Sequence, residues 1–423
     1  MTEITEVKKF IVPLHGKSIA APDAPPPNLQ YGNGHLLTSV QVYTVFWGSA
    51  WQNPSPSPLI AQVNAFFDTI LASSLVDLLG EYSVSGQSIG HGSRIGSATL
   101  TSSDPGGATK IVNDSDIQSA LKGWIADGTI AATTGNTLYF VYLPSGITAN
   151  DPQGDTSCNT ICGYHWSISG TSPEVYYAVV PYPSCNGCLD TLSDIQALTT
   201  ISSHELCESI TDPHPFTGWN DSSNGEIGDI CAWQLATING FEVQKEWSNS
   251  QKACVIGPPP VVSVSDPVGY AFINDATGVV EQHNLFLSAD GHVRAIWFNF
   301  AQGWHHEDRT ALVAGVPAAV GDPVGYAFID GASVEQHNLF RSADGHIHAL
   351  WFNFAQGWHH EDRTALVAGV PAAVGDPFGY AFINDATGVV EQHNLFRSAD
   401  GHIHALWFNF AQGWHHEDRS LFT

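Results

Sequence analysis

His204, Glu205 and Glu208 fall in the run Ile201-Ser202-Ser203-His204-Glu205-Leu206-Cys207-Glu208-Ser209-Ile210-Thr211, and their spacing is that of a metal-binding helix. If residues from about 190 to 211 are helical, His204 and Glu208 stand four apart and project from one face, one turn from each other. Glu205 can lean toward the same centre, where a general base takes the proton of a metal-bound water. The zinc-protease signature is His-Glu-x-x-His, and here a Glu stands in place of the second His. A third ligand must come from downstream. Glu226 and Asp229 follow the turn Asn224-Gly225 and can reach back, with Asp229 the favoured ligand and Glu226 its substitute. One imidazole and two carboxylates nearly cancel a divalent charge, so bound water would be less acidic than on a three-histidine zinc and hydrolysis slow or absent. Zinc is the first candidate cation, and harder oxygen ligation brings in calcium or manganese. His165, in Cys162-Gly163-Tyr164-His165, is a candidate catalytic donor or further ligand, whereas His91 reads more simply as a structural histidine. The plain alternative for the whole motif is a helix with surface Glu205 and Glu208 and a partly buried His204.

A second set of chemistry-bearing residues recurs in the other half. Gly303-Trp304-His305-His306-Glu307-Asp308-Arg309 returns at Gly357 and Gly413. Trp304, His306 and Arg309, Trp358, His360 and Arg363, and Trp414, His416 and Arg419 offer a flat apolar face with fixed donors beside it, which is what a sugar needs. The competing reading makes Trp and the first His core residues and pairs each Arg with a neighbouring acid. Neighbouring residues of a strand point to opposite faces, so the tandem His do not make a chelating pair.

The elements that must position these residues follow from the pattern of apolar residues. Val40–Trp47, Thr137–Leu143 and Glu174–Val180 are β-branched and aromatic and read as core strands. Leu59, Ile60, Val63, Phe66, Phe67, Ile70 and Leu71 recur at helical spacing, and Ile117, Leu121, Trp124 and Ile125 mark a second helix, capped by Asp114 or Ser115. A Gly/Ser-rich strand region lies between Tyr82 and Leu100. Alternating strands and helices predict an α/β layered domain over residues 31–257, preceded by a Pro-rich arm, 1–30, with no means of burying itself. An edge strand beside the His204 helix, as in zincin-like metalloproteases, would hold substrate. Residues 258–265 read as a stiff linker. Beyond it Asp-Pro-x-Gly-Tyr-Ala-Phe recurs at Asp266, Asp322 and Asp376, 56 and 54 residues apart, and such periods mean stacked supersecondary units. Four strands per repeat, with Ser-Ala-Asp-Gly (288–291) as the middle hairpin, give a propeller blade over 266–423; a three-fold β-trefoil is the runner-up. Three blades cannot close a ring, so another subunit completes the fold or it stays open.

Composition narrows the function classes. The chain has 423 residues, 43% of them hydrophobic, and a net charge of -27. That charge repels phosphate backbones and anionic bilayers, which excludes nucleic-acid partners, and no apolar run is long enough to span a membrane. All seven Cys lie between Cys158 and Cys254. The suggested disulfides are Cys158 with Cys162, Cys185 with Cys188 and Cys231 with Cys254, leaving Cys207 over; a four-thiolate zinc site is the alternative for the two short-spaced pairs. Disulfides argue for a secreted or extracellular protein, although Met1–Gly16 carries no ordinary signal-peptide pattern.

Tyr31-Gly32-Asn33-Gly34, Cys162-Gly163-Tyr164-His165, Cys185-Asn186-Gly187-Cys188, His204-Glu205-Leu206-Cys207-Glu208 with Thr211-Asp212-Pro213, Glu226 to Cys231, and Val243–Asn249 together resemble the EXORDIUM, or phosphate-induced, family of plant secreted proteins and their microbial relatives. The resemblance covers about residues 31–255 and implies an extracellular or cell-wall protein that keeps His-Glu-x-x-Glu, with Cys207 where a small residue is expected. The repeats, about 266–419, resemble blades of bacterial and fungal propeller lectins, including the fucose-binding type. The expectation is a secreted metal-dependent hydrolase, a peptidase first, tethered to a carbohydrate-binding repeat domain whose partners are glycans or glycoproteins. The alternative is a non-catalytic glycan-binding, adhesive protein with a structural metal.

Overall fold

Apolar runs that cannot face water on either side form the middle of a six-stranded mixed sheet. In a computed structural model describing residues 11–17, 24–258, 262–301, 303–330 and 333–421, the strand order is Ile11–Pro13, Ile161–Ile168, Val175–Pro181, Thr137–Leu143, Gln41–Trp47 and Ser93–Leu100. The first two pairings are antiparallel and the other three parallel. Every residue of Thr137–Leu143 and Val175–Pro181 is buried, which is why those runs are continuously apolar and do not alternate. The chain divides into two compact units, 1–259 and 260–423.

One face of the first unit's sheet carries the helix Asp194–Thr211, buried from Ala197 to Thr211. Its N-terminus is fastened by the Ser193 N–H donating to Gln196, and its C-terminus by Asp212, whose carboxylate accepts the N–H groups of Phe216, Thr217 and Gly218. The helix Ser57–Ile70 buries Leu59, Val63, Phe66, Phe67 and Ile70, as the spacing requires. On the opposite face Asp114–Ala126 is capped at Asn113, not at Asp114 or Ser115: the Asn113 N–H donates to Asp116. Asp114 is buried instead, accepting the hydroxyls of Tyr164 and Tyr177. The Gly/Ser-rich region is a strand only over Ser93–Leu100.

Three further expectations are corrected. The N-terminal arm is not free: Ile11–Pro13 adds a strand to the sheet, and Leu29 is buried. The strand Ile161–Ile168, beside the long helix, is therefore not an edge, because the chain's own Ile11–Pro13 fills the position expected for substrate. The disulfides are Cys158–Cys185, Cys162–Cys188 and Cys231–Cys254. Cys158 lies in a turn at φ 63°, closed by its N–H on Ile161, while Cys162 lies on the strand. Both meet the short helix Asn186–Leu189, so two parallel bridges stitch turn and strand to that helix in place of two local loops. Cys207 is free and buried.

In the second unit each repeat is one antiparallel sheet of four strands in sequence order, as in Val268–Ile273, Val280–Leu287, Val293–Asn299 and Gly303–Asp308. Ala319–Asp362 and Phe378–Asp418 repeat it. Strands pair within their own repeat, which excludes the trefoil among the described residues. The Ser-Ala-Asp-Gly hairpins place Gly291, Gly345 and Gly401 at φ 82°, 84° and 89°, a region that glycine alone enters freely. Residues 262–265 are not linker: Val264 donates to Leu287, and the Leu287 N–H donates to Ser265, so this segment joins the first blade.

No single helix among the described residues is long and apolar enough to cross a membrane; a bent pair passing on length and composition, Ser57–Ile70 with Ser74–Tyr82, buries its apolar side chains in the core. The stitched bridges give a first prediction. Cys185→Ser should free the Cys158 thiol and Cys188→Ser the Cys162 thiol, read by alkylation and mass spectrometry; release of Cys188 by Cys185→Ser would contradict the pairing.

Candidate functional sites

The long helix does what its spacing promised. His204 Nε2 and Glu208 Oε1 are 3.0 Å apart, although not aligned as a hydrogen bond, and both side chains are wholly buried. Asp229 follows, its Oδ1 4.0 Å from His204 Nε2, its N–H donating to Glu208 Oε1 and its Oδ2 accepting the Glu226 N–H. Gly228 lets this loop close over the ring, since a Cβ there would lie 2.8 Å from His204 Nδ1.

The strand Ile161–Ile168 adds His165 to the same centre. Gly163 and His165 share a strand face; a Cβ on Gly163 would meet Ile201 at 2.7 Å, so the glycine sets the close helix approach that brings His165 to Glu205. His165 Nδ1 lies 3.1 Å from Glu205 Oε2 and 3.5 Å from Glu208 Oε2. Its Nε2 faces the Asp212 carbonyl at 3.2 Å and Glu226 Oε2 at 3.5 Å. His165 and Glu205 are thus partners of each other, and Glu226 stands at the far nitrogen. His91 lies elsewhere, exposed and paired with Asp77.

Burial makes this cluster costly. Burial pushes Glu205 up to about 7 against the hydrogen bond of His165, and it pushes Glu226 and Asp229 well above the carboxylate range with help from neighbouring acids. Glu208 is the exception: burial raises it, but the charges of His204 and His165 hold it down at about 2. For His165, the carboxylates overcome burial and raise the imidazole to about 10. Glu226 Oε1 and Oε2, Glu205 Oε1, Glu208 Oε2 and Asp229 Oδ1 have no hydrogen-bond partner. Unpaired buried carboxylates cost several kcal/mol each, of order, unless protons or cations compensate them.

Two residues beyond the sequence reading belong here. Gln244 donates from Nε2 to His204 Nδ1 at 2.8 Å and to the Gly228 carbonyl at 2.8 Å, while its Oε1 accepts the Trp233 N–H at 2.9 Å. Glu246 is fully buried with both oxygens unpartnered, and burial pushes it well up. Nothing in the polar run Gln244-Lys245-Glu246 marks which of its side chains turn inward, so local pattern gave no signal for them.

The second unit builds its sites between blades. Arg309 is held by Glu307 at 2.6 Å and by His283 Nδ1 at 2.9 Å, and His283 Nε2 meets Glu281 at 3.2 Å. The guanidinium lies 4.3 Å over the ring of Trp358, from the next blade. Arg363 repeats this with Glu361, His337 and Glu335, and lies 4.2 Å over Trp414. A cavity of about 340 Å³ opens beside the first assembly and one of about 200 Å³ beside the second. Glu307, 31% exposed, and Glu361 offer acceptors to them, and the Nε–H of Arg309 and of Arg363 has no partner.

The expected Trp, His and Arg of one repeat therefore do not form one site. Trp358 and Glu361 are three apart on the strand Gly357–Asp362, an odd number, so they leave on opposite faces; Arg363, paired with Glu361, lines one cavity and Trp358 the other. His360 shares the Trp358 face but packs against Phe340 and His348; His416 does the same with His404, and His306 stacks near Phe286. Trp304, 66% exposed, and Arg419, beside Glu417 and His393, are the two ends of the series.

No protein-family model matches the sequence, nor does any curated protein. Among solved structures the chain is similar to a fucose lectin from Kordia zhangzhouensis in complex with methyl-fucoside, at 12% identity and a TM-score of 0.29, covering 35% of this chain and 96% of that one. It is also similar to the six-bladed Aleuria aurantia lectin, at 10% identity and a TM-score of 0.27, covering 41% and 51%. A third is AofleA from Arthrobotrys oligospora, at 14% identity and a TM-score of 0.27, covering 44% and 48%. The chain spans about half the length of the latter two.

Burial, then the Arg charge, lower His283 and His337 to about 4 from 6.5; burial also lowers His337 against the pull of Glu335. The unfolded chain then binds more protons than the folded one between pH 6.5 and about 4, so stability falls on acidification through that window. Urea midpoints of the full chain should drop from pH 7 to pH 4.5, and a His283→Gln/His337→Gln double variant should flatten the dependence.

Proposed function

We propose that the chain is a secreted carbohydrate-binding protein whose sugar sites lie between successive blades, each with the Arg and Glu of one blade and the Trp of the next. The observation that carries this reading is the repetition: the Glu-His-Arg-Glu chain stacked on the following Trp occurs twice, each time beside a cavity. The Trp holds the guanidinium flat, worth about 0.5–2 kcal/mol. The free Nε–H and the Glu carboxylate then give a hydroxyl-bearing ring one donor and one acceptor at fixed positions, and Phe354 and Phe410 supply the apolar side. The three disulfides suit an extracellular setting.

The adhesive reading is favoured over hydrolysis in the first unit, EXORDIUM-like and zincin-like though its motifs are. Glu205 is 0% exposed and bonded to His165, which leaves no open position for a water-activating base, and the strand edge a peptide would use is filled by Ile11–Pro13.

Self-association follows from the ends of the blade series. Tyr270 packs on Gly325, where a Cβ would lie 2.3 Å from its ring, and Tyr326 packs on Gly379 in the same way at 2.5 Å. Gly269 meets only residues of its own blade, and Tyr380 is 39% exposed. The last blade thus offers Tyr380 and Arg419, and the first offers Gly269 and Trp304: complementary halves of the same contact. Two copies joined head to tail at both ends make a closed ring of six blades and two further sugar sites.

Methyl-fucoside, the ligand in the Kordia lectin structure, is the first probe, followed by a glycan array. Arg309→Ala/Arg363→Ala should weaken glycan binding at least tenfold, ~1.4 kcal/mol, by calorimetry on the full chain; unchanged binding would end the inter-blade reading. Sedimentation should give twice the 45.4 kDa chain mass, and Gly269→Val should return it to the single-chain mass while reducing sites per chain from three to two.

A further inference from the structure

We propose that a divalent cation binds in the first unit between His165 Nδ1, Glu205 and Glu208, with His204 as a proton-bearing neighbour and not a ligand. The inference is independent of glycan binding by the second unit. A neutral imidazole coordinates a cation through its bare nitrogen and gives its other N–H to a carbonyl or carboxylate. His165 fits that pattern. Its Nε2 faces acceptors, the Asp212 carbonyl at 3.2 Å and Glu226 Oε2 at 3.5 Å, so Nε2 keeps its proton when a cation displaces the one that Nδ1 shares with Glu205. Nδ1 in turn faces Glu205 Oε2 at 3.1 Å and Glu208 Oε2 at 3.5 Å, and one ligand atom from each of the three residues lies within 4.8 Å of the others.

A lone pair set against two carboxylates is repulsive unless something positive lies between them. A proton on Nδ1 serves one line of contact and adds a single charge, while Glu205 Oε1 and Glu208 Oε2 remain buried without hydrogen-bond partners. A divalent ion serves all three groups at once. These unpartnered oxygens, wholly excluded from solvent, are an observation separate from the clustering of acids.

The same test removes His204. The Gln244 amide is fixed at both ends, its Oε1 by the Trp233 N–H and its Nε2 by the Gly228 carbonyl, so its remaining hydrogen points to His204 Nδ1. Nδ1 is therefore an acceptor, and Nε2, the nitrogen that faces Glu208 and Asp229, carries the proton. One imidazole nitrogen with carboxylate oxygens suits zinc or manganese(II) better than calcium, which prefers oxygen throughout.

The test uses the full chain, stripped with a chelator and then titrated with zinc chloride alone, read by metal analysis and by ring ¹⁵N resonances. Wild type should retain about one ion in the first unit, with the metal-ligation shift on His165 Nδ1 and His204 remaining an Nε2–H imidazole. His165→Gln and Glu205→Gln should weaken zinc binding more than tenfold, while His204→Gln keeps it. Where a variant does not fold, the wild-type resonances decide. Absence of retained zinc, or a ligation shift on His204 in place of His165, overturns the proposal.

Discussion

The two-residue alternation of an extended chain decides where the second unit can do chemistry. Trp358 and Glu361 stand three apart on one strand and so leave on opposite faces, and Arg363 pairs with Glu361. Each blade therefore lines two different cavities, and the Arg–Trp assembly forms only where one blade follows another: Arg309 is oriented by Trp358 of the next blade, and Arg363 by Trp414. A repeat cut out by itself would present an Arg without its stacking partner and a Trp like Trp304, two-thirds exposed.

The first unit obeys a different constraint, the cost of excluding water from charge. Glu205, Glu208, Glu226, Asp229 and Glu246 are all buried around two imidazoles. With five acids against two bases, not every carboxylate can hold its charge. Glu208 is held low by His204 and His165 while Glu226 and Asp229 are pushed up. That division places the permanent negative charge on Glu208, the one carboxylate touching both rings, and lets its neighbours carry protons.

Much of this was legible in the residues. The helical spacing of His204 and Glu208, the core strands, the blade strands and their Ser-Ala-Asp-Gly turns all follow from local pattern, and local pattern is what a sequence states directly. What was not legible depends on contacts distant along the chain. Cys158 and Cys162 look like partners until the Asn186–Leu189 helix is seen to lie beside both. Ile11–Pro13 is too short to announce itself as a strand and becomes one only because Ile161–Ile168 offers an open side. The splitting of the repeat between two cavities was legible in part, since Trp358 and Glu361 have an odd separation on one strand, while the course of Arg363 depends on the turn that follows.

Gln244 shows how far a single amide can reach. Its side chain has one acceptor and two donor hydrogens, and all are committed: Trp233, Gly228 and His204. The surrounding acids favour charging His204, yet a proton on Nδ1 would face an N–H donor at 2.8 Å and break that bond. The amide thus keeps Nδ1 an acceptor and leaves Nε2, 3.0 Å from Glu208 Oε1, as the nitrogen that carries the proton. Glu208 Oε1 accepts the Asp229 N–H, and Oε2 is left as the carboxylate's unpartnered atom. The distinction between the two imidazoles, absent from a motif written as His-Glu-x-x-Glu, comes from a residue forty positions downstream of His204.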